Sequence, residues 1–79
     1  HLHLPQFRIL GFDGLPLLEW LEQGVFPEEA RWADADYAAA RCDEVFQQLL
    51  SFGTTGIAAY ATLHAEGTRV ALEAAKRLG

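Results

Sequence analysis

The spacing of apolar residues divides most of the chain into two helices and one strand. Over residues 34–52, apolar positions recur three or four apart, which predicts an amphipathic helix that begins at the cap Asp34 and ends before Gly53. The same spacing predicts a second helix over residues 66–78. Between the helices, residues 56–63 form a run that is apolar on both faces, which is typical of a buried strand in a parallel sheet.

The N-terminal third of the chain predicts the end of a strand followed by a long insertion. Residues 1–6 are assigned to the end of a first strand, and residues 7–33 to an insertion that separates this strand from the first long helix. Within the insertion, Pro16 suits the first position of a short apolar helix, and Gly24 is expected to end that helix. An insertion of this length favours a lid or a pocket wall over a simple connection.

The order of these elements predicts the α/β class with parallel strands. A strand end, an insertion, a helix, a strand and a helix form a βαβα series. A strand that is apolar on both faces needs a neighbour on each side and helices above and below it. We therefore expect the 79 residues to be one part of a larger α/β protein.

Composition excludes some classes of partner. Apolar residues make up 51% of the chain and charged residues 22%, which is typical of a globular protein. The formal net charge of -5 and the scattered basic residues argue against binding to nucleic acid. No apolar run is long enough to span a bilayer, so no membrane partner is expected. Cys42 is expected to be a buried apolar residue, and a lone cysteine in an acidic chain predicts a cytoplasmic protein.

His1 and His3 are the first candidates for chemistry. Side chains alternate along a strand, so two histidines separated by one residue lie on the same side and can reach one metal ion. Neutral imidazole binds zinc and iron alike, and a catalytic zinc normally takes three protein ligands. At least one further ligand is therefore required. On this pattern alone, a remnant of an expression tag or a frayed terminus is favoured over a metal site.

His64 and the pair Glu28 and Glu29 are two further candidates for a functional site. His64 follows the predicted strand, and catalytic groups of parallel α/β folds gather at this end of the strands, so we expect it near His1 and His3. A single histidine in that position is more often a second-shell or capping residue than a metal ligand. Glu28 and Glu29 resemble a paired carboxylate, but adjacent helical residues point about 100° apart. They are expected to form a solvated helix start.

Five stretches of the chain resemble guanine deaminases of the amidohydrolase superfamily. They are residues 1–6 (His-Leu-His-Leu-Pro-Gln), 14–21 (Gly-Leu-Pro-Leu-Leu-Glu-Trp-Leu), 26–29 (Phe-Pro-Glu-Glu), 53–55 (Gly-Thr-Thr) and 61–64 (Ala-Thr-Leu-His). The first and fourth stretches indicate only the superfamily. The second and third are typical of the guanine deaminase insertion, and the order and spacing match along nearly the whole chain.

The resemblance implies a (β/α)8 TIM barrel of which this chain would be a fragment containing the end of strand 1, a helical insertion, helix 1, strand 2 and helix 2. It also implies one divalent metal per subunit, zinc or iron, bound in part by His1 and His3. His3, Leu4, Pro5 and Gln6 would form the substrate loop, with Gln6 bonded to the purine. The apolar helix of the insertion would wall the pocket close to the partner subunit of a homodimer.

The activity that the resemblance implies is conversion of guanine and water to xanthine and ammonia. The family's proton-shuttling glutamate and its remaining metal ligands match no residue of this chain, so the chain alone is expected to be inactive. Two other readings stay open. One is an aminohydrolase acting on another purine-like, pterin or triazine ring. The other is a helical interaction module without enzymatic activity.

Overall fold

The computed structural model describes residues 1–79, and its elements alternate between a small sheet and helices. Strand β1 is Leu2–His3, and a 3₁₀ helix over Leu4–Ile9 follows it directly. Strand β2 is Ala59–Tyr60 and pairs with β1 in parallel, Leu2 opposite Ala59 and His3 opposite Tyr60. The two strands form a two-stranded sheet.

The insertion is more helical than its sequence predicts. Helix α1 (Leu17–Trp20), a π-helical segment (Leu21–Val25) and helix α2 (Phe26–Arg31) follow one another without a break. The prediction that Gly24 ends the first of these helices is wrong. Gly24 is buried inside the π-helical segment, and a Cβ atom there would lie 2.6 Å from the Phe12 ring. The position needs glycine because an aromatic ring approaches the backbone closely, not because the backbone turns.

Helix α3 spans Ala35–Ser51 and helix α4 spans Ala65–Leu78. The Asp34 carboxylate caps α3 by accepting the backbone N–H groups of Asp36 (2.9 Å) and Tyr37 (3.2 Å). Gly53 follows α3 with a φ of 82°, which a residue with a side chain rarely adopts.

The core lies between α3 and α4, with Leu4 and Trp32 closing it from the side of the insertion. The core residues are buried and apolar, and those on α3 and α4 are the apolar positions that recur every three or four residues in the sequence of each helix. They are Leu4, Trp32, Ala38, Cys42, Val45, Phe46, Val70, Ala71 and Ala74. None of the helices combines the length and the apolar character needed to cross a bilayer.

Strand β2 is shorter and more exposed than the predicted strand over residues 56–63. Only Ala59 and Tyr60 have strand geometry, and both are exposed. The sheet contains one neighbour for β2, so the second edge of β2 has no strand to pair with in this chain. The parallel pairing itself is present, as the βαβα order predicts.

Candidate metal and substrate site

The carboxyl ends of β1 and β2 meet at one edge of the sheet because the strands are parallel. A cavity of about 280 Å³ lies at this edge, between the two strand ends and α2. Its polar lining comes from the end of β1, from α2 and from the segment after β2. The lining residues are His3, Pro5, Gln6, Glu29, Tyr60, Ala61, Thr62 and Leu63.

His1 and His3 lie on the same face of β1, as strand alternation predicts. Their ring centroids are 5.3 Å apart and the rings are nearly perpendicular. Tyr60, which is opposite His3 in the register, completes a cluster of three rings at 4.7 Å from His3 and 5.5 Å from His1. Both histidines are exposed, so their ring nitrogens are open to a ligand.

The histidine pair fits part of a metal shell. Two imidazoles that bind one tetrahedral zinc through bonds of about 2.0–2.1 Å have ring centroids roughly 5 Å apart. The observed separation of 5.3 Å agrees with that requirement. The chain contains no group of three His, Cys, Asp or Glu side chains placed to hold a metal ion. The pair alone therefore falls short of the three protein ligands that a catalytic zinc normally takes.

The residues after His3 divide between the cavity and the core. Pro5 and Gln6 line the cavity, and the half-buried Gln6 side chain makes no hydrogen bond within the chain. Leu4, which the sequence analysis groups with the substrate loop, is only 2% exposed and packs in the core. The reason is that the 3₁₀ helix begins at Leu4, directly after β1, and places this side chain in the core while Pro5 and Gln6 stay at the cavity.

Gln6 also borders a second, larger cavity. This cavity of about 640 Å³ lies between β1, the 3₁₀ helix and α3, and it is mostly apolar. It shares His3 and Gln6 with the first cavity, so these two side chains stand between the two spaces.

His64 lies at the N-terminus of α4, at the far side of the segment after β2. It is half-buried, its side chain does not cap the helix, and its backbone N–H donates to Thr62 Oγ1 over 3.3 Å. It borders neither cavity and does not join the rings of His1 and His3. A role for His64 in orienting a metal ligand, without binding the metal itself, stays a prediction.

The expectation of a solvated helix start at Glu28 and Glu29 is wrong. The Glu28 side chain is buried, accepts a hydrogen bond from the Tyr37 hydroxyl, and accepts another from Arg31 over 3.3 Å. Burial, followed by the bond to Glu28, raises the pKa of Tyr37 above its usual value. Glu28 therefore joins α2 to α3 and takes no part in the cavity.

Glu29 points the other way, into the cavity at the strand ends. Its Oε1 atom accepts hydrogen bonds from the Thr62 hydroxyl and from the Leu63 backbone N–H, the latter over 3.0 Å. Sequence reasoning missed this residue as a part of the site. Its partners lie more than thirty residues away, and no local pattern pairs the start of α2 with the end of β2.

Curated proteins that are similar in sequence to this chain are named guanine deaminase or probable guanine deaminase. The guanine deaminase of Escherichia coli is 37% identical over 78 residues, which cover 99% of this chain and 18% of that protein. The guanine deaminase of Mus musculus is 34% identical over an 80-residue alignment that covers the whole chain and 18% of that protein. The chain belongs to the guanine deaminase family. The probable guanine deaminase of Deinococcus radiodurans is 53% identical over 55 residues, or 70% of the chain.

These guanine deaminases are much longer than the chain, which spans less than a fifth of the length of each. No family model matches the chain, and no solved structure matches it. The alignments with guanine deaminases run through the histidine pair, the insertion and both long helices, since they cover nearly all of the chain.

Proposed function

We propose that the protein is a zinc-dependent guanine deaminase that converts guanine and water to xanthine and ammonia. The observation that carries this proposal is the histidine pair beside Gln6, at the carboxyl edge of a parallel sheet, in a chain similar along its whole length to guanine deaminases. The activity belongs to the full-length protein. The 79 residues would provide part of the metal shell and one wall of the substrate cavity.

The proposed fold is a (β/α)8 barrel of which this chain forms the first two strands and their helices. The parallel pairing of β1 with β2 and the position of α3 between them support this assignment. In such a barrel the catalytic groups lie at the carboxyl ends of the strands. That is the edge at which His3, Gln6 and Thr62 lie.

In the proposed mechanism, the ring nitrogens of His1 and His3 would hold the metal. Zinc, or alternatively iron, would supply a bound water of lowered pKa when present there. The Gln6 amide offers one donor and one acceptor group, which suits a purine edge that carries both. Proton transfer to the leaving ammonia needs an acid–base group, and the one carboxylate in the cavity, Glu29, is already bonded to Thr62 and Leu63. We therefore propose that the chain alone does not turn guanine over.

Ammonia release from guanine tests the proposal directly. The full-length protein with zinc should release ammonia and form xanthine, whereas the isolated 79-residue chain should not. Turnover by the isolated chain, or none by the full-length protein with zinc, would contradict the proposal. Rates on guanine compared with rates on other purines, pterins and triazines would separate this activity from that of related aminohydrolases.

Variants assign the roles of individual side chains. His1→Ala and His3→Ala in the full-length protein should reduce both the bound zinc and the activity to near background. Gln6→Ala should raise KM for guanine while the zinc content stays unchanged. Gln23→Ala is the matched control, because Gln23 is exposed in the insertion and borders neither cavity of the site. An interaction module would instead keep partner binding when both histidines are replaced.

We also propose a cytoplasmic homodimer. Three large apolar side chains of the insertion are strongly exposed, with exposed fractions of 67% for Leu17, 71% for Leu18 and 56% for Phe26. A buried free thiol at Cys42 and the acidic composition agree with a reducing compartment. Light scattering of the full-length protein should give the mass of a dimer, and Leu18→Glu should shift it to that of a monomer.

A further inference from the structure

We propose that Glu29 is a positioning residue for the substrate cavity: it holds the segment after β2 against α2 and thereby sets the width of the cavity opposite Gln6. The inference rests on the proposed function for its kinetic consequence. Its structural basis is the placement of one carboxylate between α2 and the segment after β2.

The carboxylate of Glu29 bridges the insertion to the end of β2. Glu29 belongs to α2, and both of its donors, the Thr62 hydroxyl and the Leu63 N–H, belong to the segment that follows β2. Both donors meet the same oxygen, Oε1. Hydrogen bonds to an ionised carboxylate are among the stronger ones, so this contact restrains the segment more than a neutral contact would.

Thr62 is also restrained from the side of α4. Its hydroxyl oxygen accepts the His64 N–H over 3.3 Å, and its carbonyl oxygen accepts the Thr68 hydroxyl over 3.0 Å. Its methyl group lies against Gly67, where an added Cβ would come within 2.7 Å of it. Thr62 is therefore held by contacts with α4 and, through its hydroxyl, by the hydrogen bond to Glu29 of α2.

The restraint acts on a wall of the candidate site. The segment after β2 and Glu29 line the same cavity of about 280 Å³ as His3, Pro5 and Gln6. Without the carboxylate, α2 would no longer hold the segment, and the distance of the segment from Gln6 would vary. A looser cavity weakens binding of a rigid planar ligand, since part of the binding free energy is then spent on ordering the wall.

A positioning role differs from an acid–base role in its chemistry. Glu29 acts here only as a hydrogen-bond acceptor, and no proton has to leave or reach it. The amide oxygen of glutamine can accept the same two hydrogen bonds, whereas glutamine cannot transfer a proton at neutral pH. Glu29→Gln should therefore retain most of the function, and Glu29→Ala should not.

Steady-state kinetics of the full-length, zinc-loaded protein provide the test. For Glu29→Ala we expect KM for guanine to rise about tenfold, with kcat within about threefold of the wild type and the zinc content unchanged. For Glu29→Gln we expect KM within about threefold of the wild type. Glu22→Ala is the matched control, because Glu22 is exposed in the same helical stretch and makes no side-chain hydrogen bond.

Two kinetic results would overturn the inference. Wild-type KM in Glu29→Ala would show that the bridge does not set the cavity. A collapse of kcat that is equal in Glu29→Gln and Glu29→Ala would assign proton transfer to this residue. If Glu29→Ala does not fold, Thr62→Val removes the hydroxyl that donates to Glu29, together with its contact to the His64 N–H, and should raise KM in the same direction. In a soluble double variant, the two effects should be less than additive because they remove one contact.

Hydrogen exchange separates this inference from the proposed function. The Leu63 amide donates to Glu29, so its exchange should be faster in Glu29→Ala than in the wild type and close to the wild type in Glu29→Gln. This readout does not depend on guanine. Unchanged exchange at Leu63 would refute the bridge even in an active enzyme, whereas faster exchange without any guanine turnover would refute only the proposed activity.

Discussion

Replacing Gly67 by alanine tests the packing that holds the candidate site. Gly67 is buried in the first turn of α4. A Cβ atom at this position would lie 2.7 Å from the Thr62 methyl carbon and 2.9 Å from the carbonyl oxygen of Trp32. The first contact can be relieved by moving a side chain. The second cannot, because the carbonyl belongs to the turn between α2 and α3, and Trp32 is only 1% exposed.

The size of the effect follows from two opposing terms. Overpacking of a buried position costs about 1–3 kcal/mol. Alanine is preferred to glycine in a helix by up to about 1 kcal/mol, which offsets part of that cost. The expected net change is a local destabilisation of about 1–2 kcal/mol. Gly56→Ala is the control, since a Cβ at Gly56 has nothing within 4 Å and the backbone there has no positive φ.

Hydrogen exchange of the full-length protein measures this change where it occurs. A loss of 1–2 kcal/mol should speed exchange of the α4 amides about 5- to 30-fold, since each 1.4 kcal/mol corresponds to a factor of ten. Gly56→Ala should leave these amides at the wild-type rate. Wild-type protection in Gly67→Ala, or the same loss of protection in both variants, would refute the argument that α4 packs against Trp32 and Thr62 through the glycine.

Three further predictions concern the helices around the site. Tyr37→Phe removes a donor from the buried Glu28 carboxylate and should cost about 1–3 kcal/mol of unfolding free energy, measured with denaturant. The pKa of Tyr37 is higher in the folded protein than in the unfolded chain, where it is about 10, so the neutral hydroxyl stabilises the fold fully below that pH. This contribution is lost as pH rises through the folded pKa, and the difference in unfolding free energy between the wild type and Tyr37→Phe should shrink over that range. Burial, with Asp43 adding to it, raises the pKa of Cys42 to about 11, so at pH 8 a thiol reagent should label the native protein far more slowly than the denatured one. Asp34→Ala removes the cap of α3 and should cost about 1 kcal/mol, again measured with denaturant.

The long helices are the part of the fold that local sequence determines. α3 lies at Ala35–Ser51 and α4 at Ala65–Leu78, each within a residue of the bounds that periodicity predicts. The reason is that the signals are short-range: an apolar repeat, the Asp34 cap, and Gly53 with its positive φ. Gly24 and Gly53 are both glycines, but Gly53 ends a helix and Gly24 lies inside a helical segment. Only the contact of Gly24 with the Phe12 ring distinguishes the two roles.

The sequence predicts the part of the candidate site that depends on neighbouring residues of one strand. It does not predict the part that depends on contacts between residues far apart in the sequence. Strand alternation places His1 and His3 together, whereas Leu4 lies in the core because the 3₁₀ helix begins at this residue. The environments of Glu28 and Glu29 depend instead on residues 9 and 33 positions away. Local patterns do not detect contacts over such sequence separations, so they predict a solvated helix start for this pair of charged residues.

The two adjacent glutamates explain how the insertion can serve as a rigid wall. Because neighbouring residues of a helix point about 100° apart, Glu28 reaches Tyr37 of α3 while Glu29 reaches Thr62 after β2. Contacts in two directions fix both the position and the rotation of α2, which a single contact would not. The helix then holds the strand end of β2 at a set distance from Gln6 and His3. The geometry at the strand ends thus depends on the insertion as well as on the strands, and substitutions in α2 should alter substrate binding without any change in the histidine pair.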